Sequence, residues 1–192
     1  PLTREGLLRR DAPIAISALS GYSGGGRKLI ERYEARAQSH PNDLWHCRPY
    51  SLHLQHKHIP EMTFYAGLKK EPVFLPSVGH FAQGMLVNVP LFKEFLADGV
   101  SLQQIHSTLD ACYAGETCVV VHPPNSEDEL DEGFLEPQTN NGTNRIDIFI
   151  FGTDQRILLV SRLDNLGKGA SGAAVQNLNL MVGADELRGL TA

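Results

Sequence analysis

The sequence predicts an α+β domain: a mixed, mainly antiparallel sheet with helices on one face. Three observations carry that reading. Short apolar or β-branched runs recur along the chain and outnumber its helical stretches. Turn residues such as Asn140-Asn141-Gly142 punctuate those runs. Helical spacing is confined to three segments, so strands and helices do not alternate as they would in a parallel α/β sheet.

Taken in order, Ile14 to Leu19 reads as a buried strand, Ser20 to Gly26 as a glycine loop, and Arg27 to Ala37 as a helix through Leu29, Ile30 and Tyr33. Pro41 to Pro49 reads as irregular. Strands are expected at Val73 to Val78 and Met85 to Leu91. Ser101 to Tyr113 is the clearest helix: Ser101 with Gln104 matches a capping box, and Leu102, Ile105, Leu109 and Tyr113 keep helical spacing. Thr117 to Val121 reads as strand, and the acidic Glu127 to Glu132 as a solvated loop. Strands Arg145 to Phe151 and Ile157 to Leu163 follow, and a last helix runs from near Asn165 to near Gly183, where glycine caps it.

Composition removes several functions. The formal net charge is -5 and the basic residues are scattered, so no footprint for nucleic acid exists. No apolar run approaches the ~20 residues of a membrane helix, and no signal-peptide pattern opens the chain. Cys47, Cys112 and Cys118 form an odd set without metal-type spacing, which disfavours a disulfide framework and fits a reducing cytoplasm. The opening Pro-Leu-Thr-Arg-Glu-Gly-Leu-Leu reads as the tail of a helix that begins elsewhere, so truncation is expected.

Three constellations could carry chemistry. The first is the loop Ser20-Gly21-Tyr22-Ser23-Gly24-Gly25-Gly26-Arg27-Lys28. Leu29 stands where the third glycine of a dinucleotide fingerprint would fall, and Arg27-Lys28 breaks the phosphate-loop pattern. A strand, a glycine loop and a helix start still aim backbone N–H groups at one point, where an anion is favoured. A plain flexible turn is the alternative. The second is His53 to Glu61, where His56 and His58 would share one face of a strand. Acid–base work suits imidazole at neutral pH better than zinc suits this spacing; hydrogen-bonded surface histidines are the alternative. The third is Asp164 to Asn177. Leu166, Ala170, Ala174 and Leu178 repeat every fourth residue, a face that permits close packing. Glycines in its first turn cost about 1 kcal/mol each, which a close backbone approach would justify.

Together these segments, with Pro76-Ser77-Val78-Gly79 and Phe81-Ala82-Gln83-Gly84-Met85, resemble the N-acetyl-γ-glutamyl-phosphate reductase family, most closely its shorter bacterial type. The motifs span nearly the whole chain in order. The resemblance implies a glyceraldehyde-phosphate-dehydrogenase-like C-terminal domain. Residues 1–163 would form the substrate-binding and dimerisation domain, and residues 164–192 a helix packing on an N-terminal nucleotide-binding domain outside this chain. It implies NADPH-dependent reduction of an acyl phosphate through a cysteine thioester. That cysteine, in a Pro-Gly-Cys-Tyr-type motif, is absent here. It assigns His56 or His58, with His56 favoured, to acid–base work. Ser23, Gly24, Gly25 and Asn165 would contact NADP(H), and Ser20, Gly21 and Arg27 the substrate; no metal is implied. Expected partners are the acyl phosphate, the nucleotide-binding domain and a second copy. The rival readings are a related semialdehyde dehydrogenase and a non-catalytic dimerisation module.

Overall fold

The computed structural model describes residues 1–192. Seven strands form one sheet: β1 Ala15–Gly21, β2 Cys47–Pro49, β3 Val73–Gly79, β4 Met85–Phe92, β5 Val119–Val121, β6 Ile146–Thr153 and β7 Arg156–Leu163. Their order is β2-β3-β1-β4-β7-β6-β5. The β1–β3 and β5–β6 pairs are parallel and the other four are antiparallel. The mixed, mainly antiparallel sheet expected from the sequence is present.

Four α-helices accompany it, one more than expected: α1 Arg27–Ser39, α2 Ile59–Tyr65, α3 Leu102–Tyr113 and α4 Gly172–Met181. The predicted capping box holds α3: Ser101 Oγ accepts from Gln104 N–H, and the Gln104 side chain accepts from Ser101 N–H. Asp154 in the β6–β7 turn adds a further acceptor for Leu102 N–H at 2.8 Å. Burial of Leu102, Ile105 and Leu109 then fixes the helix on the sheet, at ~1.5–3 kcal/mol for each fully buried side chain. With Ile59 of α2, these residues join Ile16, Ala18, Phe74, Leu91, Ile150 and Ile157 in one core. The helical cover on one face, as read from the sequence, is therefore α2 and α3.

The opposite face carries Leu19, Leu75, Leu86, Phe151 and Leu158, which register across β1, β3, β4, β6 and β7. These five side chains stay half-buried to exposed, with Leu75 49% exposed, whereas Phe149, Val160, Asp147 and Arg162 on the same face are buried. No helix is long and apolar enough to cross a membrane.

Two expectations need correction. The His56–His58 run is not on a strand; it is the turn that leads into α2, whose start Pro60 favours. Cys47–Pro49, read as irregular, pairs with Ser77–Gly79 as a three-residue edge strand.

Candidate functional site

The register places the C-terminal ends of β1, β3 and β7 at one rim of the sheet: Gly21 lies beside Gly79, and Ser20 is linked through Met85 to Leu163. The glycine loop, the Phe81–Gly84 turn and the entry to the last helix therefore meet. All four carbonyls of that turn are used. Tyr22 N–H donates to Phe81 O, Ser23 N–H to Ala82 O, Gly21 N–H to Gly84 O, and Asn141 Nδ2 to Gln83 O. Ser23 Oγ also donates to Ala82 O, at 2.5 Å. A side chain at Gly21 would overlap the Ala82 carbonyl, so glycine is required for this approach. The loop amides of Gly21, Tyr22 and Ser23, pictured from the sequence as free for an anion, are thus spent inside the fold.

Asn165 is the pivot of the rim. Its Oδ1 accepts from Gly84 N–H at 2.8 Å and its Nδ2 donates to Ser23 Oγ at 2.9 Å. The residue is buried and its side chain caps no helix; the neighbouring Asp164 closes a local turn, accepting from Leu166 N–H at 2.8 Å. One Nδ2 proton of Asn165 remains for another acceptor. A Cβ built at Gly24 would lie 3.2 Å from Ser20 Oγ and 3.4 Å from Asn165 Nδ2. Glycine there leaves a concavity bounded by a hydroxyl and an amide. Ser20 Oγ donates to Gly21 O at 3.1 Å and keeps its lone pairs for a donor. The pair can therefore take one acceptor and one donor from a planar amide.

Arg27 opens α1 and is largely solvent-exposed, paired with Glu31 at 2.7 Å. Gly25 closes the one-turn helix Tyr22–Gly25 before α1. His56 and His58 lie together, ring centroids 4.7 Å apart, but against Phe74 and Tyr50 rather than against the rim. Phe74 precedes Gly79 by five residues, roughly 16 Å of strand. His56 Nδ1 accepts His58 N–H at 3.2 Å, so its Nε2 carries the ring proton in the neutral form. Burial, then the neighbouring His58 and Lys57 charges, pull the His56 pKa below the usual histidine value. The turn holding the pair contains two non-glycine residues at positive φ, Ser51 (54°) and Leu54 (56°). No three His, Cys, Asp or Glu side chains gather in a metal-holding group.

Beyond the rim, the chain runs through a π-turn, Gly167–Ser171, into α4. Gly169 N–H reaches Asp164 O, and Ser171 N–H reaches Leu166 O. Gly172 passes against Asn144 Oδ1, and Asn144 Nδ2 donates to Gln176 Oε1 at 2.8 Å. Asn179 Nδ2 holds the following tail through the carbonyls of Glu186 and Arg188, both at 3.0 Å. The other side of α4 is bare. Leu166, Ala170, Ala174, Leu178 and Met181, the small-residue face, are all exposed.

Sequence reading missed what Gln83, Asp164, Asn141 and Asn144 hold, because the Gln83–Asp164, Asn141–Gln83 and Asn144–Gln176 bonds join segments 32 to 81 residues apart. The Asn140–Gly142 turn signal was visible, but not what it touches.

Comparisons with known proteins bear on the family and the fold. A family model described as "Semialdehyde dehydrogenase, dimerisation domain" matches residues 1–165. The N-acetyl-gamma-glutamyl-phosphate reductase 2 of Nostoc sp. is 46% identical over 99% of this chain and 61% of its own length. That of Allorhizobium ampelinum is 46% identical over 96% and 59%. The chain thus spans about three fifths of the length of these relatives. Aspartate semialdehyde dehydrogenase from Francisella tularensis superposes with TM-score 0.67 at 17% identity, covering 94% of this chain and 60% of that one. Aspartate semialdehyde dehydrogenase II from Vibrio cholerae gives 0.65 at 14%, covering 88% and 54%. These two likenesses concern the fold. By its match over residues 1–165, the chain belongs to the semialdehyde dehydrogenase dimerisation-domain family.

Proposed function

We propose that this chain is the substrate-binding and dimerisation part of an NADPH-dependent reductase of the arginine pathway, working in a reducing cytoplasm. The reaction converts N-acetyl-glutamyl 5-phosphate to N-acetyl-glutamate 5-semialdehyde and phosphate. A cysteine thiolate outside these residues attacks the acyl phosphate, phosphate leaves, and the resulting thioester is reduced. The observation that carries the reading is the Gly24 concavity between Ser20 Oγ and Asn165 Nδ2, whose donor and acceptor match a carboxamide.

The nicotinamide, when bound, supplies hydride. Asn165 Nδ2 would donate to its amide oxygen and Ser20 Oγ would accept from its amide nitrogen, so that one ring face is presented. Asn165 is well placed for this because Gly84 and Ser23 lock its rotamer. Ser23 acts through that lock, and Gly24 and Gly25 keep the approach free of side chains. Gly21 and Arg27 would flank the substrate, Arg27 offering an exposed cation at the loop's end. His56, ahead of His58, is the group assigned to acid–base work; because it packs on Phe74 and Tyr50 and not on the rim, the role requires the turn that holds it to reach the thiol. The exposed stripe Leu166, Ala170, Ala174, Leu178 and Met181 supports docking of residues 164–192 on a nucleotide-binding domain.

The test is an assay in the reverse direction, with N-acetylglutamate semialdehyde, phosphate and NADP⁺. The intact protein should form NADPH and residues 1–192 alone should not. Turnover with aspartate semialdehyde and none with the N-acetylated substrate would overturn the reading. A dimerisation role is favoured separately by the exposed apolar side chains of that sheet face, Leu75 and Phe92. Leu75→Asp should then shift sedimentation towards monomer.

A further inference from the structure

Asp164 is 1% exposed, yet no Lys, Arg or His nitrogen lies within ion-pair distance of it. Its oxygens accept from Leu166 N–H at 2.8 Å, Gly142 N–H at 2.9 Å and Gln83 Nε2 at 3.4 and 3.5 Å. All the donors are neutral. Lys168, four residues on, turns away and donates to Gln176 Oε1 at 2.6 Å. A buried carboxylate without a counter-charge is costly, and hydrogen bonds from neutral donors offset only part of that cost. The turn onto Leu166 N–H does not call for the charge, because asparagine makes the same side-chain turn as aspartate. The uncompensated charge therefore needs a use, and the next residue is the pivot of the amide-binding concavity.

Resting on the nicotinamide reading of that concavity, we infer that Asp164 is a fixed negative charge that favours the oxidised cofactor over the reduced one. The dihydronicotinamide ring is neutral, whereas the oxidised ring is a cation. A carboxylate held at the rim, shielded from water, attracts only the second. Because the carboxylate is anchored on three segments, it cannot swing out to solvent when the cation forms. Gln83 takes part as a neutral partner, since its amide orients the carboxylate without cancelling the charge. Asp164 does not touch the ring in this account; it acts across Asn165.

The experiment measures dissociation constants of the intact protein for NADP⁺ and for NADPH by titration calorimetry. Asp164→Asn should raise Kd for NADP⁺ about tenfold (~1.4 kcal/mol) more than Kd for NADPH. If Asp164→Asn fails to fold, Gln83→Lys answers the same question by bringing an ammonium to the carboxylate, and the same shift in ratio is expected. An unchanged ratio, with both affinities falling together, would show that Asp164 is only a structural tie between turns and would overturn the inference. Asn165→Ala separates the layers. If it weakens both cofactor forms while the Asp164 variants leave the ratio alone, only the inference falls. If it changes neither affinity, the nicotinamide reading falls and takes the inference with it.

Discussion

Two buried carboxylates, Asp147 on β6 and Asp164 at the end of β7, meet opposite electrostatic surroundings. Asp147 is fully buried and ringed by cations: Arg162 Nη2 at 2.8 Å and Arg145 Nη2 at 2.6 Å. Arg162 is buried too and also reaches Glu129 Oε2 at 2.5 Å, while its guanidinium lies 5.1 Å from the Phe149 ring centre. Burial alone would raise the Asp147 pKa, but hydrogen bonds from Arg162, Arg145, His122 and Asn140 hold it below the usual carboxylate value. Asp164 has only neutral donors. The first network closes on itself and ties the long loop after β5 to the sheet; the second leaves its charge available. A buried charge with all its partners at hand is a structural tie, and one without them points to what the site receives.

The comparison breaks first at Arg162. Arg162→Met removes the buried one of the two guanidinium partners of Asp147, leaving Arg145, and should cost ~3–5 kcal/mol in urea unfolding. A loss under 1 kcal/mol would mean water reaches the network. Stability should also fall on acidification, because the folded Asp147 pKa lies below the ordinary value. That contribution is complete above about 4 and is lost as pH drops through the folded pKa. At the rim, Asn165→Ala removes the acceptor of Gly84 N–H and the donor to Ser23 Oγ, for ~1–3 kcal/mol, and should also weaken cofactor binding. Stability loss with intact binding would reduce Asn165 to a clamp.

Smaller effects sharpen the contrast. Ser101→Ala, remote from both carboxylates, should cost ~1 kcal/mol and leave cofactor affinity unchanged. By NMR titration, His56 should titrate below the ordinary histidine value, and His58→Ala should move it part of the way back. Because the folded chain binds that proton less well, the associated stability is full above about pH 6.5 and lost as pH falls through the lower folded value. A normal His56 titration would show that its burial against Phe74 is transient.

The sheet was largely legible because β-branched runs and turn residues are local signals. Val73–Gly79 and Arg156–Leu163 lie within one residue of their expected bounds. The capping box of α3 was readable for the same reason. β2 was not, since a three-residue strand of Cys, Arg and Pro has no periodicity and exists only because β3 accepts it. The helix α2 was hidden by reading the histidines as strand, although Pro60 marks its start. At the site, the glycine loop and Asn165 stood out by residue type. Gln83 and Asp164 did not, because a hydrogen bond across 81 residues leaves no trace in the local pattern.

The outermost strands, β2 and β5, are each three residues long, and β2 places Arg48 and Pro49 on its edge. Unpaired strand edges are where sheets of separate molecules zip together, and short, charged or proline-bearing edges resist that growth. The apolar surface that remains is a face, and face-to-face pairing about a twofold axis is used up once two copies have met. A chain with bare Leu75 and Phe92 can therefore self-associate into closed particles while its flanks give fibrils no template.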